Sequence, residues 1–254
     1  MKAPLMDQAM PLACLTVSLG LLLAGVVVAL GGLLQGLVGF GLSLLAVPLL
    51  ALLDPALLPV PVLIAATAHS VLSLIREHGH VDWRGVGWAM AGRLPGTLVG
   101  VWLVDSLSQK NFGLVVGVVV LLCVVLSVVA WRPSPTPRSL VTAGLASGSF
   151  GTAMSVGGPV VGLLYQNSKG PEVRATMAAF FVLGSGTSVL GLLLAGQVHA
   201  RQLWTGLALI PFLIVGFLLS GPLRKRFDAG GVRTPVLVVS GVSAVVLIVR
   251  SLLS

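Results

Sequence analysis

Two glycine-rich stretches hold most of the residues in this chain that could bind a ligand. The first reads Gly31-Gly32-Leu33-Leu34-Gln35-Gly36-Leu37-Val38-Gly39-Phe40-Gly41, passes Ser43 and reaches Pro48. The second reads Gly144-Leu145-Ala146-Ser147-Gly148-Ser149-Phe150-Gly151-Thr152, followed by Ser155, Gly157, Gly158 and Pro159. Clustered glycine admits positive φ and interrupts a helix. A broken helix presents free N–H groups and the positive end of its dipole, which together suit an anion. Neutral donors stand beside both breaks, so the candidate substrate-binding residues are Gln35, Gly36, Gly39, Gly41, Ser43, Gly148, Gly151, Thr152, Ser155 and Gly157. A competing reading has glycines only drawing helices together through small-xxx-small packing. That reading fits Gly92, Gly96 and Gly100, and also Gly113 and Gly117.

Arg93 joins the substrate-binding candidates because it lies ten residues beyond Trp83, roughly 15 Å along a helix. If Trp83 marks the interface, Arg93 is near the bilayer midplane and could attract an anion. The alternative is a longer entry loop with Arg93 snorkelling outward. His69, in Ala65-Ala66-Thr67-Ala68-His69-Ser70, is the proton-coupling candidate; the alternative is a neutral, hydrogen-bonded histidine. His78-Gly79-His80 resembles a metal pair but lacks a third ligand at useful spacing, so neither a metal nor another cofactor is expected. Cys14 and Cys123 sit inside apolar runs, which argues for packing rather than a disulfide framework. Asp54, Glu77, Asp82, Asp105, Glu172 and Asp228 fall near connectors or helix ends, so the buried paired carboxylates of an intramembrane enzyme are not expected.

The elements that must hold these residues are membrane helices. Hydrophobic residues make up 56% of the chain and charged ones 9%, more apolar surface than a soluble core could bury. Apolar stretches run at about 12–53, 56–75, 84–104, 111–131, 139–166, 174–195, 201–222 and 234–253, and roughly 20 apolar residues make one crossing. The net charge of +8 sits in short connectors, the pattern of positive-inside orientation rather than nucleic-acid binding. Lys2 and Asp7 precede an apolar run too long for a signal-peptide core, which reads as a retained first helix.

The chain also looks duplicated. Gly32, Gly36 and Gly39 recur as Gly144, Gly148 and Gly151, each set followed by a proline, and Gly79-His80-Val81-Asp82 with Pro95 and Gly100 recurs as Gly196-Gln197-Val198-His199 with Pro211 and Gly216. The division is a first repeat over 1–132, a Pro-rich connector at 133–137 and a second repeat over 138–254. If both glycine-rich stretches return to the side they start from, ten basic residues share one face against four opposite. If each crosses once, the split is seven and seven. The returning arrangement satisfies the positive-inside bias, gives each half an odd number of crossings and so inverts the halves, with both termini outside the cytoplasm.

Glycine-rich segments followed by proline at the head of each half, with a Val81-Asp82-Trp83 entry into a later helix, resemble the TauE/SafE sulfite exporter family. The resemblance covers nearly the whole chain. It departs from the commoner pattern of three consecutive glycines, having Phe40-Gly41-Leu42 in one half and Val156-Gly157-Gly158 in the other. The resemblance implies a multi-pass inner-membrane secondary transporter moving sulfite, an organosulfonate or a similar small anion, usually outward and with no ATPase subunit. The fold class expected is an all-α polytopic membrane protein of two homologous, inverted halves. Each would open with a broken or re-entrant helix pair and continue with three helices. Alternating access around a midplane site made by both motifs is the expected mechanism, with protons or sodium as coupling ion and the lipid bilayer as surroundings. A homo-oligomer is compatible with the sequence. An anion channel, or an importer of another organic anion, is the alternative.

Overall fold

A computed structural model describes residues 9–128, 134–223 and 229–253, with side chains described from residue 19 onward except at 109–110 and 229–234. The described residues form α-helices and short 3-10 turns. In chain order the helices are α1 (Ala9–Val38), α2 (Leu42–Leu53), α3 (Val60–Glu77), α4 (Trp83–Ser106), α5 (Gln109–Val128), α6 (Pro137–Met154), α7 (Gly158–Gly162), α8 (Gly170–Leu194), α9 (Ala200–Leu223) and α10 (Ala229–Leu253). Six contain segments long and apolar enough to cross a membrane: α1, α3, α5, α8, α9 and α10. Their outward residues are apolar too; Leu98, Leu194, Leu218 and Val242 are more than half exposed, a surface suited to lipid and hostile to water.

Each glycine-rich stretch is interrupted once, and unequally. α1 takes 30 residues and α2 only 12. Gly31, Gly32 and Gly36 lie inside α1; the chain turns at Gly39 (φ +97°) and Gly41 (φ +140°), conformations that L side chains rarely adopt. In the second stretch Gly144, Gly148 and Gly151 all lie inside α6, and the turn comes at Ser155, in the left-handed region at φ +62°. The two interruptions, Gly39–Gly41 and Ser155–Gly157, are 116 residues apart, one helical turn more than the 112 that separate Gly39 from Gly151.

The glycines inside α6 have a packing role. Gly144 lies against the Ala89 carbonyl and Gly148 against that of Arg93, while from α4 Gly92 meets the Val141 carbonyl and Gly96 that of Leu145. Backbone rests on backbone along this crossing, as small residues permit. At the α1–α9 contact Gly32 and Gly216 meet the Leu213 and Ala29 carbonyls, while Gly25 and Gly36 make room for the side chains of Phe212 and Ser220. Gly113 and Gly117 receive Ser251 and Ile248 of α10. Replacing Gly144 with Leu should force α4 and α6 apart, because the new Cβ would meet a carbonyl that cannot rotate away. Overpacking of this kind costs about 3 kcal/mol or more. Heat challenge in detergent followed by size exclusion should show early loss of the monodisperse species, while Gly87→Leu, with open space around its Cβ, should behave as the parent.

The registers of these contacts sort the helix ends. α4 and α6 run side by side from Ala89–Gly144 to Gly100–Thr152, and α1, α3 and α9 run together, with Pro61 by Gly206 and His69 by Phe217. The end of α3 and the starts of α4 and α8 meet where Asp82 N–H donates to Thr176 Oγ1 and Tyr165 Oη to the Asp82 carboxylate. Arg76, Arg84, Arg138, Lys169 and Arg174 therefore gather at one end of the bundle. At the other end Arg201 borders the same groove as Asp54 and Gly20, and Arg250 donates to the Leu52 carbonyl.

Candidate functional site

Between the two interruptions lies a small cavity of about 20 Å3, room for roughly one water. Both halves of the chain line it. Gln35 of α1, Ser43 of α2, Leu63 and Ala66 of α3 and Arg93 of α4 come from the first; Gly151, Ser155, Gly157, Gly158, Phe181 and Ser185 come from the second. Six of the eleven sequence candidates are thus brought together: Gln35, Ser43, Arg93, Gly151, Ser155 and Gly157.

Among the described residues, Arg93 is the only charged one on this wall, and it is 2% exposed. It points inward and does not snorkel. Its Nη1 donates to Ser147 Oγ at 2.8 Å, its Nη2 to Ser188 Oγ at 3.4 Å, and the guanidinium lies 4.9 Å from the Phe180 ring centroid. Nε has no hydrogen-bond partner among the described residues, and no carboxylate there ion-pairs with the guanidinium. Burying a cation without a counter-ion is expensive. The surrounding sequence accommodates it closely: Gly184 leaves the space that Nε occupies, and any Cβ there would collide with the guanidinium.

The serines around Arg93 also tie the interruption together. Ser147 Oγ donates to the Gly157 carbonyl at 2.8 Å, and Ser155 Oγ reaches the Pro59 carbonyl of the first half at 3.0 Å. The cavity wall, the Arg93 anchor and the α6–α7 turn are one hydrogen-bonded unit. Ser43 stands in the first turn of α2, whose N-cap Gly41 offers no side-chain cap, so the positive end of the α2 dipole lies at the cavity.

The other five candidates lie outside the cavity lining. Gly36 packs on Ser220; Gly148 packs on α4; Gly41 lies near Leu34; Thr152 Oγ1 hydrogen-bonds Ser188 Oγ at 2.7 Å. Gly39 rests on the start of α8, where a Cβ would approach the Arg174 Cα to 3.0 Å. His69 is fully buried away from the lining: Nε2 donates to the Gly32 carbonyl at 2.9 Å and Nδ1 faces Ser73 Oγ at 3.3 Å. Sequence reasoning missed the α8 contribution. Its signal was present in Gly184-Ser185-Gly186-Thr187-Ser188, five small residues in the middle of an otherwise apolar span.

The ends of α3 and α8 on either side of the cavity are joined by different contacts. Toward the basic end, Glu77 of α3 accepts from Arg174 Nε through both carboxylate oxygens, at 3.0 and 2.9 Å. Toward the other end, Val60 and Leu63 pack against Leu192 in a small apolar cluster.

Membrane-length helices around an enclosed cation, on the wall of a cavity lined by both halves of the chain, are the architecture of a polytopic membrane protein. The family model described as Sulfite exporter TauE/SafE matches residues 22–247, and the chain belongs to that family of multi-pass inner-membrane transporters. Among curated proteins it is similar to the probable sulfite/organosulfonate exporter TauE of Cupriavidus necator, 27% identical over 78% of this chain and 82% of the relative. It is also 27% identical to the probable inner membrane transporter protein TsaS of Comamonas testosteroni, over 64% of this chain and 72% of that protein. No solved structure matches the chain.

Proposed function

We propose that the chain exports sulfite, an organosulfonate or a similar small anion by alternating access, with the anion bound in the cavity at Arg93. The observation that carries this is the buried guanidinium without a carboxylate partner among the described residues, on the wall of a cavity lined by both halves. A cation kept there at a cost in stability is accounted for when an anion completes it. Gln35, Ser43 and Ser185 supply neutral donors around it, and the relative's name supports sulfur oxyanions as the ligand class. Thermal-shift measurements on the purified chain across sulfite, methanesulfonate, sulfate and short carboxylates test the reading. Stabilisation by sulfur oxyanions or sulfonates is expected, and stabilisation by none of them would overturn it. In liposomes the carrier saturates and supports counterflow; a steady conductance would make it a channel.

The halves, 1–132 and 138–254 around the connector 133–137, are proposed to be inverted repeats. Matched pairings support this: α4 on α6 answers α1 on α9, while α3 on α8 and α5 on α10 each pair equivalent helices. The basic end then faces the cytoplasm by the positive-inside bias. Reporter fusions at Ser134 and Ser108 should report opposite sides, with Ser134 cytoplasmic; a periplasmic Ser134 would contradict the topology.

The two contacts between the ends of α3 and α8 are proposed to be seals that open in turn. Glu77→Gln should loosen the ionic one. In a background with Cys14 and Cys123 replaced by Ala, a Ser43→Cys probe should label with an impermeant maleimide about two- to tenfold faster from the Arg174 side, the scale of a partly exposed ion pair. The exchanged pair Glu77→Arg with Arg174→Glu should restore slow labelling. Unchanged labelling in Glu77→Gln would remove the ion pair from the gate.

A further inference from the structure

Resting on the site proposed above, we infer that the cavity selects its ligand by charge, taking monoanions with a compact oxyanion head and a neutral fourth substituent, and rejecting dianions of the same size. Arg93 brings one positive charge, and every other residue lining the cavity is neutral. The helices packed on α4 at this level, α6 and α8, present Ser147, Ser188 and Phe180 to the guanidinium, none of them charged. One bound negative charge therefore neutralises the site. A second would be buried with no counter-ion, the arrangement that costs most in a low-dielectric interior.

The hydrogen bonds restrict the ligand in the same direction. Ser147 and Ser188 accept from Arg93 and direct their own protons to the Gly157 and Gly184 carbonyls. They are fixed as acceptors toward the guanidinium and have no proton left for an anion. The donors open to a ligand are the remaining guanidinium N–H groups with Gln35, Ser43 and Ser185, because Ser155 spends its hydroxyl proton on the Pro59 carbonyl, while Leu63, Ala66 and Phe181 make the rest of the wall apolar. A sulfonate group turned toward Arg93 with an alkyl substituent against that apolar side fits both surfaces. Sulfite fits as hydrogensulfite, so the proton that removes its second charge rides on the ligand and no protein base is needed in the cavity.

The test uses the full-length purified chain and three probes, methanesulfonate, sulfite and sulfate, with binding measured calorimetrically from mildly acidic to mildly alkaline pH. Methanesulfonate, singly charged throughout, should bind with constant affinity and so controls for any titration of the protein. Sulfite should weaken about tenfold per pH unit above its second ionisation, which falls near neutrality. Sulfate should bind at least about 100-fold more weakly than methanesulfonate, the scale of an uncompensated buried charge. Sulfate within about threefold of methanesulfonate, or sulfite that strengthens as pH rises, would overturn the inference. Arg93→Gln separates the two claims. Loss of methanesulfonate binding in that variant together with tight sulfate binding in the parent would defeat charge selection alone; retained methanesulfonate binding would defeat the site and the inference with it.

Discussion

Replacing Arg93 with Met should abolish anion-dependent stabilisation and transport while leaving the protein as stable as the parent or more so. The two halves of this expectation have different physical origins. Arg93 is 2% exposed and without a carboxylate partner among the described residues, and replacing buried charged groups by apolar residues of similar volume is often neutral or stabilising, by about 1–4 kcal/mol for whole ion pairs. Its partners are not orphaned by the change, because Ser147 still donates to the Gly157 carbonyl and Ser188 to that of Gly184. The anion, by contrast, loses its counter-charge in a buried site, a loss of at least about 100-fold in affinity. A thermal-shift series with and without methanesulfonate reads both quantities from one preparation. A lower melting temperature with the ligand shift intact would mean that Arg93 is a structural residue.

Gly151→Leu should also abolish transport, through space rather than charge. A Cβ at Gly151 would sit 3.3 Å from Arg93 Nη2 and 3.3 Å from the Gly157 Cα. The Leu side chain beyond it would run into a cavity of about 20 Å3. Overpacking of about 1–3 kcal/mol is offset in part by the higher helix propensity of Leu over Gly, about 1 kcal/mol. The variant should therefore insert and purify normally. Gly151→Ala, a contact the neighbours can absorb by a few tenths of an ångström, should retain partial flux. Gly186→Leu, with open space at its Cβ, should transport as the parent. Counterflow in liposomes distinguishes the three, and normal flux in Gly151→Leu would remove this wall from the pathway.

Much of the helical layout was legible because the bilayer imposes it. Apolar runs of membrane length and breakers such as Asp54-Pro55 bound α3, α5, α8, α9 and α10 to within a few residues. Arg93 was conspicuous because a charge inside an apolar run has few inexpensive places to go. The glycines misled in detail. Gly144, Gly148 and Gly151 share the spacing of Gly32, Gly36 and Gly39, yet the first two of each set lie on the packing faces of α6 and α1, and the chain turns at Gly39 in the first half but past Gly151 in the second. A left-handed turn at Ser155 carries no glycine to announce it. The α8 wall was missed for a related reason: Phe181 and Ser185 become site residues only because α8 packs on α4 at the level of Arg93, a contact between segments some 90 residues apart that no local pattern encodes.

The most direct test is a structure of the full-length chain with an organosulfonate bound. The account predicts sulfonate oxygens within hydrogen-bonding distance of the Arg93 guanidinium and of Ser43 or Ser185, with the cavity enlarged around them. An anion found instead in the open groove of about 570 Å3 bordered by Asp54, Arg201 and Trp204, with the Arg93 cavity still closed, would contradict it.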